Sequence, residues 1–287
     1  PWIIVAVQAV LVGYCLLGGG KRVIKATSTL VPLMGVIYIS VAFILTIMHI
    51  NLVPGVVGRI FAEAFDFTAI FGGFAGSCMM FGIKRGLYSN EAGVGSAPNA
   101  AAAADVSHPV KQGLVQMLSV FIDTLLICTA TAFMCLRSGI EPTKELAGAP
   151  YVQAALAASM GDYAKLFITV SMVLFAFTTL LGNLYYVDNA FAYVLKHVPG
   201  KTFTLCYRIL ACVLIFIGAG SSMGTMWDLA DVTMGCMAII NLPVICILGG
   251  PALRALDDYT EQRDAGKNPE FKASKIGLTQ KLDYWQD

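Results

Sequence analysis

The sequence predicts an all-α polytopic membrane protein, and three observations carry that prediction. Of the 287 residues, 57% are hydrophobic and only 13% are charged, too apolar a mixture for a water-soluble domain. The apolar residues gather into runs about as long as a helix needs to cross the hydrocarbon core, roughly 20 residues. Short loops rich in glycine, proline and charge separate those runs. The net charge of +1 indicates no nucleic-acid-binding surface. The eight cysteines lie in apolar segments without metal-ligand spacing and read as small core residues. The three histidines form no metal-site or catalytic grouping.

Taken in order, residues 2–17 read as a first span. The chain opens on Pro1 inside this apolar run, with no signal peptide, which leads us to expect a fragment whose earlier spans are missing. Gly18, Gly19 and Gly20 suggest a tight turn, followed at once by Lys21, Arg22 and Lys25. Residues 30–50 form a second span, with Pro32 tolerated near its start. The linker 51–66 carries an amphipathic patch around Ile60, Phe61 and Phe65, which predicts a surface helix or lid. Residues 68–88 are less apolar, and the glycines between Gly72 and Gly76 permit close helix contact. A short polar loop at 106–112 leads to a clear span at 114–136. The long loop 137–162 contains an alanine-rich stretch, 152–158, read as a helix over the mouth. Span 166–195 turns polar in its second half, and spans 203–219 and 229–248 close the membrane part. The division expected is a membrane domain over 1–252 and a polar, partly disordered cytoplasmic tail over 253–287.

The chain is organised around residues 83–105, a polar, glycine-rich stretch between strongly apolar segments. Backbone of this kind is tolerated at membrane depth only where protein buries it or where it lines an aqueous cavity. Gly86, Gly93 and Gly95 interrupt good helix formers, and Ser89 and Asn90 can turn onto nearby backbone. Ser96 is a candidate N-cap for a helix over Ala100–Ala104, whose positive end would favour an anion. The plainer alternative is a polar loop between two spans.

Loop charge sets the orientation. With the turn at Gly18 inside, alternation also places 106–112, 196–201 and the tail in the cytoplasm, and these segments hold most of the lysines and arginines. Several polar side chains remain at membrane depth. Thr179 and Asn183 are four apart and share a helix face, with Thr178 beside it. Two hydroxyls and a freed carbonyl suit a small hard cation, while threonines bonded back to their own helix are the structural alternative. Asp123, an acid within an apolar span, is either part of a cation or proton path or a structural partner of Lys84 or Arg85. Glu91 could contact a ligand or latch the break; Asp228 and Asp231 read as acids at a helix N-terminus.

One contiguous segment, Arg-Gly-Leu-Tyr-Ser-Asn-Glu-Ala-Gly-Val-Gly-Ser-Ala-Pro at 85–98, resembles the signature of the alanine/glycine:cation symporter family. Phe-Ile-Asp-Thr-Leu-Leu-Ile-Cys-Thr-Ala-Thr-Ala-Phe (121–133), Ala-Phe-Thr-Thr-Leu-Leu-Gly (176–182) and Leu-Ala-Asp-Val-Thr-Met-Gly (229–235) extend the likeness over nearly the whole chain. The resemblance implies sodium- or proton-coupled uptake of alanine, glycine and sometimes glutamine, which places the chain in the plasma membrane, a cell inner membrane. It also implies a leucine-transporter-like inverted-repeat fold, here incomplete, with core helices four to ten present and the first broken helix lying before Pro1. By the same resemblance Thr178 and Thr179 bind sodium, and Ile83, Ser89, Asn90, Gly93, Thr179 and Asn183 line the amino-acid site. Some relatives carry tryptophan where this chain has Asn183, so a larger polar substrate such as glutamine becomes plausible. No organic cofactor is implied, sodium being the coupling ion.

Other classes fit less well. A proton-coupled carrier remains open. A non-transport, energy-converting subunit would need a chain of intramembrane ionisable groups, and Asp123 stands nearly alone. A membrane enzyme would need a nucleophile or acid–base constellation, and a channel a pore-lining repeat; neither is visible.

Overall fold

The computed structural model describes residues 11, 13, 14, 20–64, 74–143, 146–278, 282 and 285. The predicted span at 2–17 and the glycines at 18 and 19 therefore lie largely outside the described residues. Ten α-helices are described: α1 (Gly20–Met48), α2 (Val53–Ala64), α3 (Phe74–Ser89), α4 (Ala97–Ala101), α5 (Pro109–Phe121), α6 (Thr129–Leu136), α7 (Ala149–Met160), α8 (Tyr163–Leu195), α9 (Lys201–Ala219) and α10 (Met223–Asp264). A π-helical stretch, Ile122–Cys128, joins α5 to α6. No strand occurs among the described residues. Among the described residues, five stretches are long and apolar enough to cross a membrane: Lys25–Met48, Pro109–Leu136, Tyr163–Leu195, Lys201–Ala219 and Met223–Asp264. Gly20 opens α1 and forms no turn.

The chain divides into two compact units. The first comprises Pro1–Ile83 and Asp123–Ser222, the second Lys84–Ile122 and Met223–Asp287.

In the first unit α8 is the hub. Its buried residues Ala164, Ile168, Ser171, Phe177, Thr178, Leu181 and Leu184 recur at helical spacing and define one inward stripe. The lower part of that stripe meets Tyr38, Ala42 and Leu45 of α1, Met134 of α6 and Leu156 of α7. Higher up, Phe177, Leu181 and Leu184 pack with Leu30 of α1 and with Tyr207 and Ala211 of α9. Part-buried polar groups form two contacts here. The Tyr38 and Thr131 hydroxyls lie 2.8 Å apart, and Arg208 donates to Asp188 at 2.9 Å. The alanine-rich stretch expected over the mouth is α7, packed between α6 and α8 with Ala155 and Leu156 fully buried. Helix α2 forms where the amphipathic linker predicts it and has no buried residue, while Phe65 of the expected patch lies outside the described residues.

The second unit is built on α10. At 42 residues this helix is about 63 Å long, twice the hydrocarbon thickness of about 30 Å. Its polar last turns, from Arg254 to Asp264, extend the helix past the apolar run. The helix runs unbroken through the expected boundary at residues 252 and 253, with Pro243 and Pro251 inside it. Part of the tail expected to be partly disordered is packed. Phe271, Ala273 and Ile276 fold back, bury themselves against Ala255 of α10 and pack with Val110 of α5. The loop expected at 106–112 is also shorter, because α5 starts at Pro109 with His108 as its N-cap.

Two further readings need correction. Gly86 lies inside α3 and does not interrupt it. Of the described cysteines, Cys128, Cys206, Cys236 and Cys246 are exposed on helix surfaces and are not core residues.

Candidate functional site

The interruption expected at the centre of the sequence is present within the second unit. Helix α3 ends at Ser89, and the chain runs as turns through Gly95 before the single turn of α4. Local chemistry explains the stop. Asn90 accepts from the Ala92 amide at 3.1 Å, an Asx-type turn that competes with the helix. Glu91 adopts a left-handed conformation, φ 58°, which turns the chain out of the helical path. Gly93 then donates to the Leu87 carbonyl at 3.2 Å. A Cβ on Gly93 would lie 2.9 Å from that same carbonyl oxygen, so only glycine fits the approach.

The latch reading of Glu91 agrees with the geometry, although the contact is not ionic: Ser96 Oγ donates to Glu91 Oε2 at 2.9 Å. That bond uses the Ser96 side chain, so Ser96 sits helically at the start of α4 without capping it. Helix α4 ends at Ala101 and does not extend to Ala104. Five residues give too short a dipole for the anion site expected there.

Helix α10 holds this segment at two levels. Near its start, Asp231 accepts from Arg85 at 3.1 Å and Lys84 at 3.4 Å, and Tyr88 Oη donates to the Asp231 carbonyl at 3.3 Å. The Arg85 guanidinium also lies 4.2 Å from the centre of the Trp227 ring. Asp231 is thus a two-cation acceptor beyond the first turn of its helix, and not the N-terminal acid expected. Ten residues further on, Asn241 donates from one amide nitrogen to the carbonyls of Ala92 at 2.9 Å and Gly93 at 3.0 Å. In the sequence Asn241 is hidden inside an apolar span. The available signal is an amide two residues before Pro243 in an otherwise apolar run.

The remaining candidates fall as follows. Ser89 is the exposed last residue of α3, with Asn90 and Gly93 in the turns after it. Ile83 is exposed on α3. In the first unit, Thr178 is 6% exposed and its hydroxyl donates to the Leu174 and Phe175 carbonyls, both at 3.1 Å. This is the back-bonded geometry of the structural alternative. Thr179 and Asn183 lie one turn apart on an exposed face of α8. Asp123 falls in the π-helical stretch, a rare geometry frequent at functional positions.

A second polar cluster escapes any reading of the sequence alone. His108 is fully buried. Its Nδ1 accepts from the Val110 amide at 3.2 Å, which places the imidazole proton on Nε2, 3.3 Å from Asp258 Oδ2. Asp258 also accepts from Lys275 and from Gln262, each at 2.9 Å. The His108 ring packs edge-on against Tyr259 and Phe271, and the Ser107 carbonyl accepts from the Phe271 amide at 3.0 Å. Burial pushes the His108 imidazole below its ordinary value, despite Asp258, and Lys111 and Lys275 push the same way.

Helices of membrane length with no strand among the described residues define an α-helical, multi-pass membrane protein. The profile of the sodium:alanine symporter family matches residues 1–273, and the chain belongs to that family. It is 42% identical over 99% of its length to the amino-acid carrier protein AlsT of Bacillus subtilis, covering 60% of that protein. It is 41% identical over 95% of its length to the probable sodium/glutamine symporter GlnT of the same organism, covering 56%. A sodium/proton-dependent alanine carrier protein of Bacillus sp. PS3 is 38% identical over 96% of this chain, which covers 65% of that relative. The chain thus spans 56–65% of the length of these three relatives. All three are named as carriers or symporters and none as an enzyme.

Proposed function

We propose that the protein is a sodium-coupled symporter that imports a small neutral amino acid, alanine or glycine and in this chain also glutamine, by alternating access. The observation that carries the reading is the interrupted helix at Ser89–Gly95. There the peptide groups leave the helical ladder, in the segment that resembles the family signature. Freed backbone groups are what a zwitterion needs from a membrane carrier. By the family resemblance, Ser89, Asn90 and Gly93 contact the amino acid, Ile83 and Asn183 set which side chain is accepted, and Thr178 and Thr179 supply hydroxyl oxygens to sodium. The chain contributes core helices four to ten of a leucine-transporter-like fold in the plasma membrane, with its C-terminus in the cytoplasm. Occupancy of both sites favours a closed state, and coupling follows because each ligand binds the two states unequally. Proton coupling is the second reading, favoured by the name of the PS3 relative.

Uptake of radiolabelled alanine by the full-length protein in vesicles separates these readings. Accumulation driven by an inward sodium gradient at equal pH supports sodium symport. Accumulation that follows a proton gradient without sodium selects the second reading, and uptake indifferent to both gradients removes coupling altogether.

Two substitutions test the sites. Thr179→Ala is expected to raise the sodium concentration for half-maximal uptake about tenfold, the effect of losing one oxygen ligand worth about 1.4 kcal/mol. An unchanged sodium requirement removes Thr179 from the ion site. Asn183→Trp is expected to narrow the pocket, so that glutamine competes with alanine about tenfold less well than in the wild type. Equal competition by the two amino acids in the variant counts against Asn183 as a pocket wall.

A further inference from the structure

We infer that Asn241 is a positioning residue that clasps the interrupted helix in its open form and thereby sets the protein's apparent affinity for its substrate. The inference rests on the symporter reading, but its geometry stands apart from it. When a helix stops in an apolar setting, the carbonyls beyond the stop need donors, and water is scarce. Here the carbonyls of Ala92 and Gly93, adjacent in sequence, share the Asn241 carboxamide nitrogen at 2.9 and 3.0 Å. An asparagine within a membrane-length apolar helix is itself costly unless its amide protons are taken up. Each side thus satisfies the other across 149 and 148 residues of sequence.

The neighbouring residues are shaped to the same contact. Gly95 approaches so closely that an added Cβ would lie 2.5 Å from Asn241 Cγ and Oδ1. Asp231, about 15 Å earlier on the α10 axis, fastens Lys84, Arg85 and Tyr88 of the preceding helix. The segment is therefore pinned before the break by charge and within it by an amide. Asp231 holds side chains; Asn241 holds the backbone that the substrate must read. Loss of the clasp frees the turns from Asn90 to Gly95 to collapse onto alternative hydrogen bonds, and the fraction of protein with an open site falls. Apparent affinity falls with that fraction.

Asn241→Asp keeps the shape, removes both donors at neutral pH and places a carboxylate against two carbonyls. Two readouts are expected. Amide hydrogen exchange across residues 89–97 of the full-length protein quickens about tenfold. The apparent KM for alanine rises about tenfold while the maximal rate stays within about twofold, the signature of a lost site population and not of a lost carrier. Acidification should narrow the difference from wild type, because the introduced carboxyl regains one donor when protonated. Should Asn241→Asp unfold, Asn241→Ser, which shortens the side chain without adding charge, carries the same expectations for exchange and KM. Unchanged exchange in the folded variant overturns the clasp. Quickened exchange with an unchanged KM overturns its role in affinity. Exchange requires no substrate, so it decides on the clasp even where wild-type uptake fails and the symporter reading falls with it.

Discussion

Asp258→Ala is expected to release residues 265–278 from α10 and to cost about 3 kcal/mol of stability, the range for breaking a buried, hydrogen-bonded charge cluster. Asp258 is 8% exposed and accepts from three side chains on three segments: His108, Gln262 and Lys275. Its removal strands the Nε2–H of a fully buried imidazole and detaches Lys275 from α10. The apolar contacts of Phe271, Ala273 and Ile276 remain but lose the polar frame that orders them. Thermal unfolding in detergent and limited proteolysis both read the change. Early cleavage within 265–278 is the expected pattern, and a wild-type digestion profile would show that the apolar contacts suffice. The same cluster gives the wild type a pH dependence of known sign. Burial lowers the His108 pKa in the folded protein, so below the ordinary imidazole value of about 6.5 the unfolded chain binds more protons than the folded one. Stability is therefore complete above that value and is lost as pH falls through it. Protonation would also put a hydrogen on Nδ1, opposite the Val110 amide that now donates to it. His108→Gln should flatten this dependence, and an unaltered pH profile would assign it to other groups.

What is legible in the sequence depends on the range of the interaction. The spans follow from apolar run length, and α2 follows from an amphipathic patch around Ile60 and Phe61; both are local signals. The stop after Ser89 is legible because its causes lie within six residues: Asn90, Glu91, Gly93 and Gly95. Ser96 misleads because two local uses compete for one hydroxyl, and the bond to Glu91 displaces the cap. The clasp by Asn241 joins residues nearly 150 apart, and so does the pairing of His108 with Asp258. No periodicity announces such contacts. The tail reads as partly disordered because its average composition is polar. Four spaced apolar residues, Phe271, Ala273, Ile276 and Leu278, are nonetheless enough to dock it, given Asp258 to receive Lys275. Averages over a window conceal such a stripe.

Gly95→Ala is expected to reduce alanine uptake at least tenfold, whereas Gly86→Ala, nine residues earlier, should leave it unchanged. The contrast isolates conformation from composition, since each variant adds a single methyl group. Gly86 lies in the body of α3 with open space where a Cβ would stand. Alanine there also favours the helix by about 0.5–1 kcal/mol. Gly95 has φ 84°, a conformation that L side chains resist, at a cost of about 1–2 kcal/mol. Its Cβ would also strike the Asn241 carboxamide at 2.5 Å, and such an overlap costs a further 1–3 kcal/mol or so. The chain can relieve both strains only by swinging the turn away from α10, which breaks the bonds to Ala92 and Gly93 together. Because strain and clasp share one contact, the double variant Gly95→Ala/Asn241→Ser should transport better than the sum of its single effects predicts. Strict additivity in that cycle would mean that the methyl acts through backbone strain alone. Wild-type uptake in Gly95→Ala would mean that the turn tolerates a side chain and that the close approach to Asn241 does not constrain the working carrier.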